Sequence, residues 1–153
     1  MQQKYITYQK ALNKAMYLCS KTEKCKSDIR KKLYDWKANP DEHDKIIQQL
    51  EDQKFIDEER FVKYYVRDKF EFNKWGKIKI RTMLFKKQIP ESLIINELKQ
   101  ISEEKYKETL EYLIKQKQKS IKDTEPYKIK TKLLRFAASK GFEPDLILSI
   151  LNR

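Results

Sequence analysis

Three features of the sequence predict an all-α protein made of three tandem three-helix repeats, stacked into an elongated body. Glycine and proline are scarce, two and four in 153 residues, while Lys, Glu, Leu and Ile are abundant and strand-like alternation is nearly absent. Apolar residues recur at helical spacing along most of the chain. One set of segments returns at intervals of about fifty residues. The repeats are placed at 1–55, 56–101 and 102–153. A unit of that size buries little apolar surface alone, so neighbouring units are expected to share cores.

The first repeat opens with an amphipathic helix over residues 5–19. The segment KCKSDIRKKLYDW then reads as a basic helix with Thr22 as its N-cap, carrying Ile29 and Leu33 inward. In NPDEHDKIIQQL, Pro40 suits a first helical position, Asp41 the first turn, and Ile46, Ile47 and Leu50 form an apolar ridge. The stretch FIDEERF begins the second repeat. Asp57 is a good N-cap, Glu58 and Glu59 favour the first turn, and Ile56 and Phe61 have the spacing of a hydrophobic staple. A helix over 58–70 follows, then KWGKIKIRTMLFKK with Asn73 as its cap, then IPESLIINEL with Pro90 at a first helical position. The third repeat has a helix over 103–121, the basic YKIKTKLLRFAASK ending at Gly141, and EPDLILSIL with Pro144 in the same role. Ile80 and Leu84 return as Leu133 and Ala137 at an offset of 53, and the prolines miss that register by one residue.

Charge singles out the middle helices of repeats two and three. The chain carries a net charge of +12, which favours acidic partners and nucleic acid above all. Residues 72–90 contain no acid but hold Lys74, Lys77, Lys79, Arg81, Lys86 and Lys87. The acid-free window 126–142 holds Lys128, Lys130, Lys132, Arg135 and Lys140. At 100° per residue, Lys74, Lys77 and Arg81 form one stripe, and Lys128, Lys132 and Arg135 another. These eleven cations are the candidates for contact with nucleic acid or another acidic partner. Ile80 and Leu84 occupy one flank of their helix, and Trp75, Ile78 and Phe85 another, so that helix is expected to pack both within its repeat and against something else. In the first repeat Glu23, Asp28 and Asp35 dilute the middle helix, and residues 41–59 are acidic overall. Tyr64, Tyr65, Phe70, Phe72, Trp75 and Phe85 have the helical spacing of core residues, with base stacking as the alternative.

Nothing catalytic stands out. There is no Walker-type loop, nucleophile elbow or HExxH, and glycine is too rare to cradle a nucleotide. The single histidine, His43, lies in PDEHD and is expected to be solvated. Cys19 and Cys25 are six apart, the wrong spacing for a redox or zinc pair, and are expected to be small buried hydrophobes. The start, MQQKYITYQK, lacks a signal-peptide core, and no long apolar run occurs. A cytoplasmic, monomeric non-enzyme with no metal, no cofactor and no membrane span is expected.

Several of these segments resemble the RecX family, regulators of the recombinase RecA. FIDEERFVKYYVRDKF is similar to that family's GYLDDxRFAxxYVxxR. KWGKIKIRTMLFKKQI resembles KxGxxxIxxELxxKGI, KLLRFAASKGFEPDLI resembles KLxRFLxxRGFxxDxI, and CKSDIRKKL matches SxxELxxKL less closely. The likeness covers residues 11–151, with departures. Lys54 and Gln88 stand in place of glycines, Glu58 in place of an aspartate and Met83 in place of a glutamate. The resemblance implies a curved rod of three repeats. It also implies binding to RecA and in the groove of RecA–DNA filaments, with weak binding to single- or double-stranded DNA. Inhibition of RecA ATP hydrolysis and strand exchange would follow, with a role in recombination, DNA repair and the SOS response. An independent helical nucleic-acid-binding module, acting by coating DNA, is the alternative.

Overall fold

The computed structural model describes residues 4–153, and among them the backbone is helical with no strand. In order the helices are α1 Tyr8–Lys21, α2 Lys26–Asp35, α3 His43–Asp52, α4 Glu58–Glu71, α5 Lys77–Lys86, α6 Glu91–Leu98, α7 Glu103–Ser120, α8 Pro126–Ser139 and α9 Pro144–Leu151. They fall into three sets of three, as the repeats require. Backbone proximity divides the chain into two compact units, one of residues up to 64 with 87–89, the other of 65–86 with 90–153, and the division falls inside α4.

The first unit closes α1, α2 and α3 around Leu12, Ile29, Leu33, Ile46 and Leu50, all at most 3% exposed. Thr7 caps α1, its hydroxyl accepting from the Lys10 N–H. The cap of α2 is not Thr22, which ends α1 instead. Cys25 takes that place, its N–H bound by the Asp28 carboxylate at 3.3 Å. Glu58 accepts the next N–H, that of Lys26, at 3.1 Å. A local reading finds Thr22 because it cannot see an acceptor arriving from 32 residues away. Burial pushes the Glu58 carboxyl up, and the Lys26 N–H and ammonium pull it back. Asp57 does cap α4, accepting from the Arg60 N–H at 3.0 Å, with Ile56 and Phe61 buried beside it.

Pro40 does open a helical turn, the 3-10 turn Pro40–Glu42 that leads into α3, with Asp41 in that turn and Asn39 as its cap. One further expectation fails in this unit. His43 is 7% exposed, not solvated. Its Nε2 lies 3.1 Å from the Ala38 carbonyl. A carbonyl only accepts, so the ring carries its proton at Nε2.

In the second unit Ser102 caps α7, and Pro126 and Pro144 occupy the first positions of α8 and α9. Pro90 is itself the cap residue of α6, with ψ 134, not the first helical residue. Asn73 is not the cap of α5, which starts four residues later.

The three middle helices end alike. Two residues past α2, α5 and α8, Lys37, Gln88 and Gly141 take left-handed backbone, with φ of 59, 62 and 98°. The next residue is buried each time: Ala38, Ile89 and Phe142. This shared turn reverses the chain and drives an apolar side chain inward.

Candidate polyanion-binding surface

The start of α5 is held by backbone from the end of α8. The Gly76 N–H donates to the Lys140 carbonyl at 2.7 Å, and the Ile78 N–H to the Gly141 carbonyl at 3.0 Å. A Cβ on Gly76 would lie 2.3 Å from the Gly141 carbonyl carbon, and one on Gly141 would lie 2.3 Å from the Lys79 Cβ. The chain's two glycines therefore stand against each other, because only bare backbone permits that approach. Between these bonds the Lys77 N–H donates to the Tyr106 hydroxyl at 2.9 Å, and that hydroxyl donates to the Glu143 carboxylate. The Tyr106 ring packs on Phe70 and Phe142. Burial, and then Glu143, push the phenol up, so it remains protonated as the donor. Three orphan N–H groups of a helix start are thus satisfied from outside the helix.

This junction gathers lysines. The Lys79 ammonium lies 4.6 Å from the centre of the Trp75 ring, and Lys69 is 5.1 Å from the same ring. Lys77 sits over Tyr106 and Lys74 over Tyr112. Lys140 donates to the Asn73 carbonyl at 2.8 Å. Its ammonium is pulled down, by burial first and then by the charges of Lys79 and Lys74. The last two causes place Lys74, Lys79 and Lys140 within one another's field. Among the described residues, Lys74, Lys77, Lys79 and Lys140 form no ion pair with a carboxylate. Aromatic rings steady a cation without cancelling its charge, so the potential of the cluster survives.

The remaining candidates are placed differently. Lys74 lies outside α5, at φ 55°, so the expected helical stripe with Lys77 and Arg81 does not exist as such. Arg81 pairs with Glu91, Lys132 with Asp123, and Lys128 with Glu125 at 3.7 Å. Lys87 pairs with Asp28 at 2.7 Å inside the first unit. Lys130 donates to the Asn152 side chain. Lys86 and Arg135 are exposed. Arg135 and Lys132 join Lys117 and Lys122 around an open cleft of about 610 Å³ beside Phe136. Windows without acids looked uncompensated in sequence, yet carboxylates just beyond their ends fold back onto three of the cations.

Of the aromatics, Tyr65 and Phe70 are buried as expected. Tyr64, Phe72 and Phe85 are 46, 77 and 73% exposed, against the core expectation, because each lies on the outward side of its helix or turn. Tyr106 and Lys69 escaped the sequence reading: the first needs four distant partners, and the second lies outside the acid-free windows. The rarity of glycine, and the match of KWGKIKI to KxGxxxI, were the hints for Gly76. Among the described residues no group of His, Cys, Asp and Glu could hold a metal, and both cysteines are free. No helix there is long and apolar enough to cross a membrane.

Comparison with known proteins decides the family. The profile of the second three-helix domain of RecX matches residues 57–96, and that of the third matches residues 103–151, together more than half of the chain. The chain belongs to the RecX family. The regulatory protein RecX of Clostridium acetobutylicum is 31% identical over 149 residues, covering 95% of this chain and 69% of the relative. RecX of Clostridium perfringens strain 13 is 28% identical over 146 residues, covering 94% and 68%. A crystal structure of regulatory protein RecX superposes with a TM-score of 0.85 at 25% identity, over 94% of this chain and 71% of the other. RecX from Lactobacillus salivarius shares the fold, with a TM-score of 0.81 at 22% identity and 94% of both chains covered. These RecX relatives are regulatory proteins by name. Lys54 and Gln88, the two positions that the resemblance sets against glycine, take left-handed backbone at φ 65 and 62°.

Proposed function

We propose that this chain regulates the RecA recombinase by binding RecA and lying in the groove of RecA–DNA filaments, lowering ATP hydrolysis and strand exchange. The reading rests on RecX membership and makes the protein a cytoplasmic monomer with no chemistry of its own. The observation that carries it is the junction cluster of Lys74, Lys77, Lys79 and Lys140, four cations without carboxylate partners among the described residues, gathered at one backbone contact. Such a cluster matches the phosphates exposed along a filament groove.

The test is RecA ATPase on single-stranded DNA, titrated with this protein while free single-stranded DNA is added in excess. Inhibition should set in below one molecule per RecA and withstand the extra DNA. Inhibition that fades in proportion to added DNA would instead mark a module that only coats nucleic acid. Lys74→Glu with Lys79→Glu and Lys140→Glu should raise the half-inhibiting concentration at least about tenfold, by reversing three contacts at once.

A further inference from the structure

The helix α5 is apolar on two sides, and only one of them is used. Ile80 and Leu84 are fully buried. On the other side Ile78 is 47% and Phe85 73% exposed. Ile78, Thr82 and Phe85 are spaced i, i+4, i+7, which places them on one outward strip about 60° wide. The Thr82 hydroxyl is tied back to the Ile78 carbonyl at 2.8 Å, so its methyl remains as the free group of that side chain. Two large apolar side chains open on the same helix face form a candidate interaction surface.

We propose that this strip is a protein-docking ridge, with Phe85 as its anchor, that inserts into an apolar groove rimmed by carboxylates on the regulated protein. The proposal rests on the reading that the chain acts on a recombinase filament, and it separates the protein contact from the phosphate contact. Charge selects the occupant. By helical position Lys79 and Lys86 flank the ridge on one side, and neither pairs with a carboxylate among the described residues. Arg81 flanks the other side, already balanced by Glu91. The rim is therefore net positive and calls for acids opposite. A second copy would bring like rims together, against a net charge of +12 per chain. Nucleic acid would find only one stacking ring, because Ile78 and Thr82 offer no π face.

The test compares the full chain with Ile78→Ser/Phe85→Ser and with Lys74→Glu/Lys140→Glu, which spares the rim residue Lys79 and should weaken oligonucleotide binding while leaving DNA-free RecA binding nearly unchanged. Each protein is titrated against DNA-free RecA and, separately, against a labelled single-stranded oligonucleotide. The ridge variant should keep its thermal midpoint, bind the oligonucleotide like wild type, and bind RecA about ten- to a hundredfold more weakly. Lys86→Glu should weaken RecA binding severalfold and flatten its salt dependence. Wild-type affinity of the ridge variant for RecA would overturn the ridge and leave the filament reading standing. Failure of the wild-type chain to bind RecA would sink both. Loss of oligonucleotide binding by the ridge variant, or a wild-type dimer in sedimentation that the variant abolishes, would also overturn the proposal, reassigning the ridge to bases or to a second copy.

Discussion

Four cations of the first unit meet carboxylates, although Lys14 and Lys21 there lie over Trp36 and Tyr17, whereas the cations at the start of α5 meet aromatic rings. Arg30 pairs with Asp44 at 2.9 Å, Lys26 with Glu51 at 3.2 Å, Arg60 with Glu23 at 2.7 Å and Lys87 with Asp28 at 2.7 Å. Lys74, Lys77 and Lys79 instead lie over Tyr112, Tyr106 and Trp75. Both arrangements restrain a long side chain. Only the first cancels its charge, and exposed pairs of that kind contribute little stability. The lesson is that lysine density is a poor guide to a binding surface. What matters is whether the fold returns an acid to each cation.

The comparison breaks most readily at the backbone that holds the second arrangement in place. Gly76→Ala forces a Cβ into the Gly141 carbonyl and should cost about 3 kcal/mol, read as a lower denaturation midpoint. A variant as stable as wild type would mean that the two glycines are not in contact.

Charge reversal tests the surviving potential directly. Lys74→Glu/Lys79→Glu/Lys140→Glu should reduce the slope of log affinity against log salt for single-stranded DNA by about 2, at roughly 0.7 per contact. Reversing Lys24 and Lys31 in the first unit should change it by much less. Equal changes from both sets would show that total charge, not its placement, governs binding.

Acid titration separates the two modes by their protons. Burial raises the Asp28 carboxyl, but the Lys87 hydrogen bond and charge outweigh it, so the group ends below its ordinary 3.8. A depressed folded value contributes stability at pH above 3.8 that is lost as pH falls through the folded value. Asp28→Asn should therefore flatten the loss of stability below pH 4, followed by urea melts between about pH 5 and 2. No carboxylate takes part in the ring contacts of Lys74, Lys77 and Lys79. An unchanged pH profile in Asp28→Asn would remove Asp28 from the account.

The smallest effect concerns the turn that the middle helices share. Gln88→Gly should stabilise the protein by about 0.5–1 kcal/mol, since relief of a left-handed side chain exceeds the extra chain entropy of glycine. Thermal melts suffice, and a lower midpoint would show that the Gln88 side chain makes up for its backbone.

Much of this architecture follows from local rules. Scarce glycine, helical spacing and repeated segments determined the α-helices of the described residues and their grouping by three. Residues Ile29, Leu33, Ile80, Leu84, Leu133 and Ala137, matched by repeat register, are all buried. Asp57 as a cap and Gly141 past a helix end were legible because each acts within about four residues of itself. Tertiary structure decided the rest. It moved the cap of α2 from Thr22 to Cys25 by bringing Glu58 to Lys26, and buried His43 by offering the Ala38 carbonyl. It paired Lys87 with Asp28, 59 residues away, and gathered Lys74, Lys79 and Lys140 where two glycines let backbones touch. Periodicity reports which side of a helix faces inward, because burial repeats with the helical turn. Which charge meets which acid depends on distances between elements remote in sequence, and a one-dimensional pattern does not carry them.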